Sequence, residues 1–190
     1  VLILLTFYQL FSLDYDCNNY ANFHRDFCFL GDTNSPSNDT ISITAVGDIM
    51  LGTNYPNKSY LPPNDGKMLL DSVKQFLEKG DITFGNFEGV IGIGGNPKSC
   101  NNPKFCYTFR MPESYISNIK NSGIDLLSIA NNHANDFGTG GRQSTAKILD
   151  SAGLFFAGSI EKPYTIFELN GVKYGFLSSA PNSGCFNMKN

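Results

Sequence analysis

The residues with the most chemistry to offer stand in one run, Ser128-Ile129-Ala130-Asn131-Asn132-His133-Ala134-Asn135-Asp136-Phe137-Gly138. An apolar stretch, Ile124 to Ile129, leads directly into two amides, an imidazole and a carboxylate. Ligands of open α/β sheets sit just beyond the carboxyl ends of the strands, so this segment reads as the centre of a site. Two earlier stretches repeat the pattern. Ile41 to Val46 is β-branched and alternating, and ends in Gly47-Asp48-Ile49-Met50-Leu51-Gly52. Asp48 taken alone reads first as a turn or helix-cap residue. Asp81 to Gly85 delivers Asn86-Phe87-Glu88-Gly89. Asn86 and Glu88, two apart in an extended chain, point the same way. A Glu set between Phe87 and Gly89 is costly to bury unless a metal ion or an Arg meets it. Carboxylate, carboxylate, amide and imidazole are hard-to-borderline ligands. They suit Mn, Fe, Zn or Mg rather than a thiolate site, and they fit a bridged pair of ions. The set is short of a full dinuclear centre, because the only histidines are His24 and His133. His24, between Phe23 and Arg25, reads as a surface residue.

The elements that must position these groups alternate. Lys67 to Lys79 has helical spacing, with Leu69, Val73, Phe76 and Leu77 on one face and Gly80 after its end. Thr108 to Pro112 is short and extended, and Pro112 to Asn121 reads as a helix with Ile116 and Ile119 inward and Gly123 beyond it. After the central motif, Thr139 to Ala152 forms a helix with Ala146, Ile148, Leu149 and Ala152 inward and Gly153 closing it. Leu154 to Ala157 is a further strand. Thr165 to Leu169, Asn170-Gly171 and Val172 to Ser179 make a hairpin. Strands alternating with helices give a largely parallel sheet with helices on its faces, an α/β fold. Parallel neighbours would then bring Asp48, the Asn86–Glu88 pair and the Asn131–His133 run to one edge.

The totals set outer limits. At 190 residues, 41% hydrophobic and 16% charged, the chain has enough material for one globular domain and a core. A net charge of −3 without a basic block argues against nucleic acid as a partner. Val1 to Leu13 is apolar, uncharged and too short to span a bilayer as a helix. We read residues 1–16 as the remnant of a signal peptide or anchor, the alternative being a buried strand or helix. Residues 17–40 read as a polar linker, and 41–190 as the domain. The expectation is a secreted or extracytoplasmic protein, attached to the membrane if the apolar start is retained. Among the five cysteines, Cys100 with Cys106 and Cys17 with Cys28 are spaced to pair, leaving Cys185 odd. Asn38-Asp39-Thr40 and Asn57-Lys58-Ser59 are N-glycosylation sequons. With no initiator Met and an end at Asn190 soon after the hairpin, the sequence reads as a fragment at both ends.

Three motifs carry a family resemblance: Ala45-Val46-Gly47-Asp48-Ile49-Met50-Leu51-Gly52, Gly85-Asn86-Phe87-Glu88-Gly89, and Ala130-Asn131-Asn132-His133-Ala134-Asn135-Asp136-Phe137-Gly138-Thr139-Gly140-Gly141. In order and spacing they resemble the capsule-biosynthesis CapA family, the poly-γ-glutamate synthesis proteins, over roughly Ile41 to Ala180. That family is similar to the calcineurin-like metallophosphoesterases. The resemblance implies a layered β-sandwich flanked by helices, here cut short at its C-terminus. It implies Asp48, Glu88 and Asn132 as ligands of a divalent metal centre of two ions, Mn, Fe or Zn. It implies His133 as proton donor to a leaving group, oriented by Asp136. Asn86 and Asn131 are then expected to face the substrate. The family's later His-Trp-Gly-like and Gly-His-His-Pro-His-like motifs are absent from this sequence.

Two functions follow as expectations. One is a metal-dependent hydrolase of capsule or poly-γ-glutamate metabolism, acting on a phosphoester or a γ-glutamyl-type amide. The other is a non-catalytic secreted or anchored accessory that binds an anionic polymer. A bland third reading is a chain that does not fold stably, since half a sandwich would expose its inner face.

Overall fold

A computed structural model describes residues 2–3, 40–99 and 107–189. The paired-cysteine candidates Cys17, Cys28, Cys100 and Cys106, together with His24 and the Asn38 sequon, lie outside the described residues. So does nearly all of the apolar start and the polar segment after it.

Four parallel strands form the central sheet, in the order β2-β3-β6-β7. They are β2 (Ile43–Ile49), β3 (Ile82–Phe87), β6 (Leu126–Ser128) and β7 (Phe155–Ala157). Helices α1 (Asp71–Leu77), α2 (Ile116–Asn121) and α3 (Gly138–Ala152) fill the crossovers, the arrangement that βαβ alternation dictates. A two-stranded parallel ribbon, β4 (Val90–Ile91) with β5 (Arg110–Met111), extends the end of β3. The hairpin β8 (Tyr164–Leu169) and β9 (Val172–Leu177) turns through Asn170 and Gly171, both with positive φ (54° and 78°), as a type I′ turn requires. A two-residue strand, β1 (Leu2–Ile3), pairs parallel with β9.

The sheet has a core on each face. Ile49, Phe87, Leu127 and Phe156 point to the helices and pack with Ile119, Ile148 and Leu149. Ile82, Leu126 and Ala157 point the other way and are covered by Phe167, Tyr174 and Phe176 of the hairpin. The hairpin therefore shields the face that a half-sandwich was expected to expose. Its cover stops short of β2, where Ile43 and Val46 are exposed.

Several boundaries differ from the sequence expectation. Strand β2 runs on through Asp48 to Ile49 instead of ending before it. Helix α1 begins only at Asp71, and Gly80 is not in the left-handed conformation; Glu78 closes the helix. Of its expected inward face only Leu77 is buried, while Leu69, Val73 and Phe76 remain exposed. The segment after Pro112 starts as a 3₁₀ turn, Glu113–Tyr115, before α2. Helix α3 matches expectation, with Ile148 and Leu149 buried, Ala146 and Ala152 against the same core, and a left-handed Gly153 at its end.

Candidate active site

Three strand ends meet at one edge of the sheet. Asp48 of β2 stands opposite Asn86 of β3, and Asn86 stands opposite Ser128 of β6. The first pairing depends on an irregularity. Ala45 lies opposite Phe84 and Asp48 opposite Asn86, so β2 spends three steps where β3 spends two. One extra residue in a strand turns the next side chain to the other face. Without it Gly47, not Asp48, would meet Asn86.

Asn86 gathers the acidic side. Its Nδ2 donates to Asp48 Oδ1 and to Glu88 Oε2, each at 2.8 Å. Its Oδ1 accepts from Asn131 Nδ2 at 3.2 Å. Asn131 is buried and ties the next loop down: Nδ2 also donates to Phe87 O at 2.8 Å, and Oδ1 accepts from His133 N at 3.0 Å. The buried free thiol of Cys185 donates to the Asn131 main-chain oxygen. Asn86 and Asn131, read from sequence as substrate-facing, thus spend their amides on holding the site together.

His133 lies between two acids. Its Nδ1 is 2.8 Å from Asp136 Oδ2, and its Nε2 is 3.8 Å from Glu88 Oε1. The Phe109 ring covers the imidazole at 4.3 Å between centroids. Asp136 has no solvent exposure. Its Oδ2 also accepts from Phe109 N at 2.7 Å, its Oδ1 takes the Lys98 ammonium, and its main-chain oxygen accepts from Lys98 N at 2.7 Å. Lys98 and Phe109 are site residues that sequence reasoning missed. Each arrives from a distant loop or extended segment, and nothing near it in sequence marks the destination.

Burial pushes the Glu88 carboxyl above the usual carboxylate range. The Asn86 hydrogen bond and His133 pull it back, while the charges of Asp48 and Asp136 push it further. The acidic side is therefore short of positive charge. Asn132 is exposed and makes no hydrogen bond to Asp48 or Glu88. Among the described residues, no group of three or more His, Cys, Asp or Glu side chains is arranged to hold a metal ion.

Comparison with known proteins settles the family. The sequence model of the family described as bacterial capsule synthesis protein PGA_cap matches residues 42–189. The chain belongs to this family. Similar proteins include the capsule biosynthesis protein CapA of Bacillus anthracis, 27% identical over 145 residues, which is 74% of this chain and 34% of that protein. The PGA biosynthesis protein CapA of Bacillus subtilis (strain 168) is 29% identical over 158 residues, 78% of this chain and 39% of that protein. The uncharacterized protein y4sH of Sinorhizobium fredii (strain NBRC 101917 / NGR234) is 29% identical over 124 residues, 63% of this chain and 25% of that protein. The chain thus spans a quarter to two-fifths of the length of the curated relatives it matches. Every residue of the site just described falls inside the matched segment, and the α/β sheet agrees with a metallophosphoesterase-like PGA_cap domain.

Proposed function

We propose that this site belongs to a metal-dependent hydrolase of capsule or poly-γ-glutamate metabolism, acting on a phosphoester or a γ-glutamyl-type amide. The observation that carries it is the pair His133–Asp136 with Nε2 turned toward Glu88, beside Asp48. On its acidic side the chain brings together two of the oxygen donors that a hard divalent cation takes. Two carboxylates converge on one amide, and Glu88 is held in an environment that resists its charge. Asp48 and Glu88 would hold the ion, which supplies Lewis-acid activation when bound.

The rest falls to the chain's own groups. Asp136 engages Nδ1, which leaves Nε2 to give a proton to a leaving group. Phe109 fixes the plane of the ring and keeps water from one face of it. Lys98 offsets the buried charge of Asp136. On this reading His133→Ala lowers turnover by about 10²–10⁴-fold and leaves Mn²⁺ binding in place. Bis(p-nitrophenyl) phosphate and a γ-glutamyl anilide are the assay substrates, and calorimetry follows the metal. Turnover in the variant equal to the parent's would sink the proposal.

A second reading is a non-catalytic accessory that binds an anionic polymer. It draws on the names of the two Bacillus relatives, which speak of biosynthesis rather than hydrolysis. Polymer retention by His133→Ala, with no turnover in either form, would favour it. Both readings place the protein outside the cytoplasm, on the strength of its apolar start. Among the described residues, no helix is long and apolar enough to cross a membrane.

A further inference from the structure

Arg110 is the cation beside the site that the mechanism leaves unused. It sits in β5 opposite Val90, two residues after Glu88. The residue before it, Phe109, covers His133 and donates to Asp136. Its own guanidinium lies over the ring of Phe137, the residue after Asp136, at 4.5 Å from the centroid. The loop that follows Asp48 closes the other side. Asn54 Oδ1 accepts from Arg110 Nε at 3.0 Å, Asn54 N donates to Arg110 O at 2.9 Å, and Thr53 Oγ1 accepts from Arg110 N at 3.0 Å. Tyr55 meets the edge of the same Phe137 ring.

The guanidinium is therefore held by one face and by Nε. Its end-on fork, Nη1 and Nη2, has no carboxylate partner among the described residues. Lys98, by contrast, is bound to Asp136, and Arg142 to Glu161. A fixed fork with both terminal nitrogens available matches an oxyanion bidentately and loses little freedom on binding it. It also answers a need of the site, since Asp48 and Glu88 by themselves repel an anionic substrate.

We propose that Arg110 is the substrate-recognition residue of this site. It takes an oxyanion, either a carboxylate or a phosphate, adjacent to the bond presented to His133. This rests on the hydrolase-type site proposed above, but binding tests it separately from turnover. In the His133→Ala chain, inorganic phosphate and glutarate are titrated in parallel by calorimetry. At least one should bind saturably, and which one does so assigns the oxyanion to a phosphoester or to a γ-glutamyl unit. Adding Arg110→Gln should weaken that binding by about tenfold or more, and Arg110→Lys should recover part of it. Phenylglyoxal labelling of the unsubstituted protein, read by mass spectrometry, needs no variant: the bound anion should protect Arg110 and leave Arg142 unchanged. The proposal fails if the parent binds neither anion, if a folded Arg110→Gln chain binds as tightly as the parent, or if Arg110 is not protected. Failure of turnover with Arg110-dependent binding intact would overturn only the hydrolase reading.

Discussion

Asp136 is fully buried and its carboxylate meets three donors, from His133, Phe109 and Lys98. Asp48 stands exposed on the outermost strand of the sheet, with the Asn86 amide as its partner. Both are acids at the end of the same sheet, yet one is an internal fastening and the other an open valence. A buried carboxylate must have its lone pairs satisfied or it destabilises the fold. An exposed one is solvated already and is free to exchange water for a ligand. The His133–Asp136 side of the site is thus built into the folded chain, and the Asp48 side is only outlined by it.

That contrast breaks most visibly on removal of the two acids. Asp136→Ala removes the one acceptor on which a buried imidazole edge, the Phe109 amide and the Lys98 ammonium converge, and should cost about 3–5 kcal/mol of stability. Asp48→Ala should stay within about 0.5 kcal/mol. Urea denaturation of both variants checks this, and equal costs would abolish the distinction. Next in size is Gly89→Ala. Gly89 has φ of +94°, and a Cβ there would lie 2.8 Å from Phe109 Cβ. The strain should cost about 1–3 kcal/mol and lift Phe109 off His133, which the ring-proton shifts of His133 report by NMR. The smallest effect sharpens the comparison through pH. Glu88 holds its proton more tightly in the folded chain than in the unfolded one, because burial opposes its charge. The folded state then binds more protons between the two values. The cation-free protein should lose stability as pH rises from the ordinary carboxylate range through the raised Glu88 value. Glu88→Gln should flatten that part of the curve in melting experiments run from about pH 4 to about pH 8. An unchanged slope would place the acidic side on the same footing as solvent-exposed carboxylates.

Much of the frame was legible beforehand, because it depends on local pattern. The apolar face of α3, the Asn170-Gly171 turn and the parallel order of strand ends each follow from spacing or from one dipeptide. Helix α1 shows the limit of that logic. Periodicity marks Leu69, Val73 and Phe76 as a common face, but it says nothing about whether anything covers that face. In the site, the proximity of Asp48 to Glu88 was expected from strand order. The extra residue in β2 that turns Asp48 toward Asn86 was not, since Val46-Gly47 reads equally well as regular strand. The partners of Asp136 were invisible for another reason. Lys98 lies 38 positions away and Phe109 27, and only the tertiary fold selects them. The amides of Asn86 and Asn131 look alike in sequence whether they face a ligand or the protein, and only the closed hydrogen-bond chain distinguishes the two.

The sheet's double-sided packing bears on how this domain can change. Leu126 and Leu127 are neighbours in β6, yet one belongs to the hairpin core and the other to the helix core. Side chains that lie across the sheet from each other, such as Phe176 and Leu149, belong to separate clusters, so lesions there should combine as a simple sum, within about 0.5 kcal/mol. A lineage, or a designer, can therefore rework the hairpin side residue by residue without disturbing the helices that back the His133 turn. The fold separates the region free to vary from the region obliged to stay.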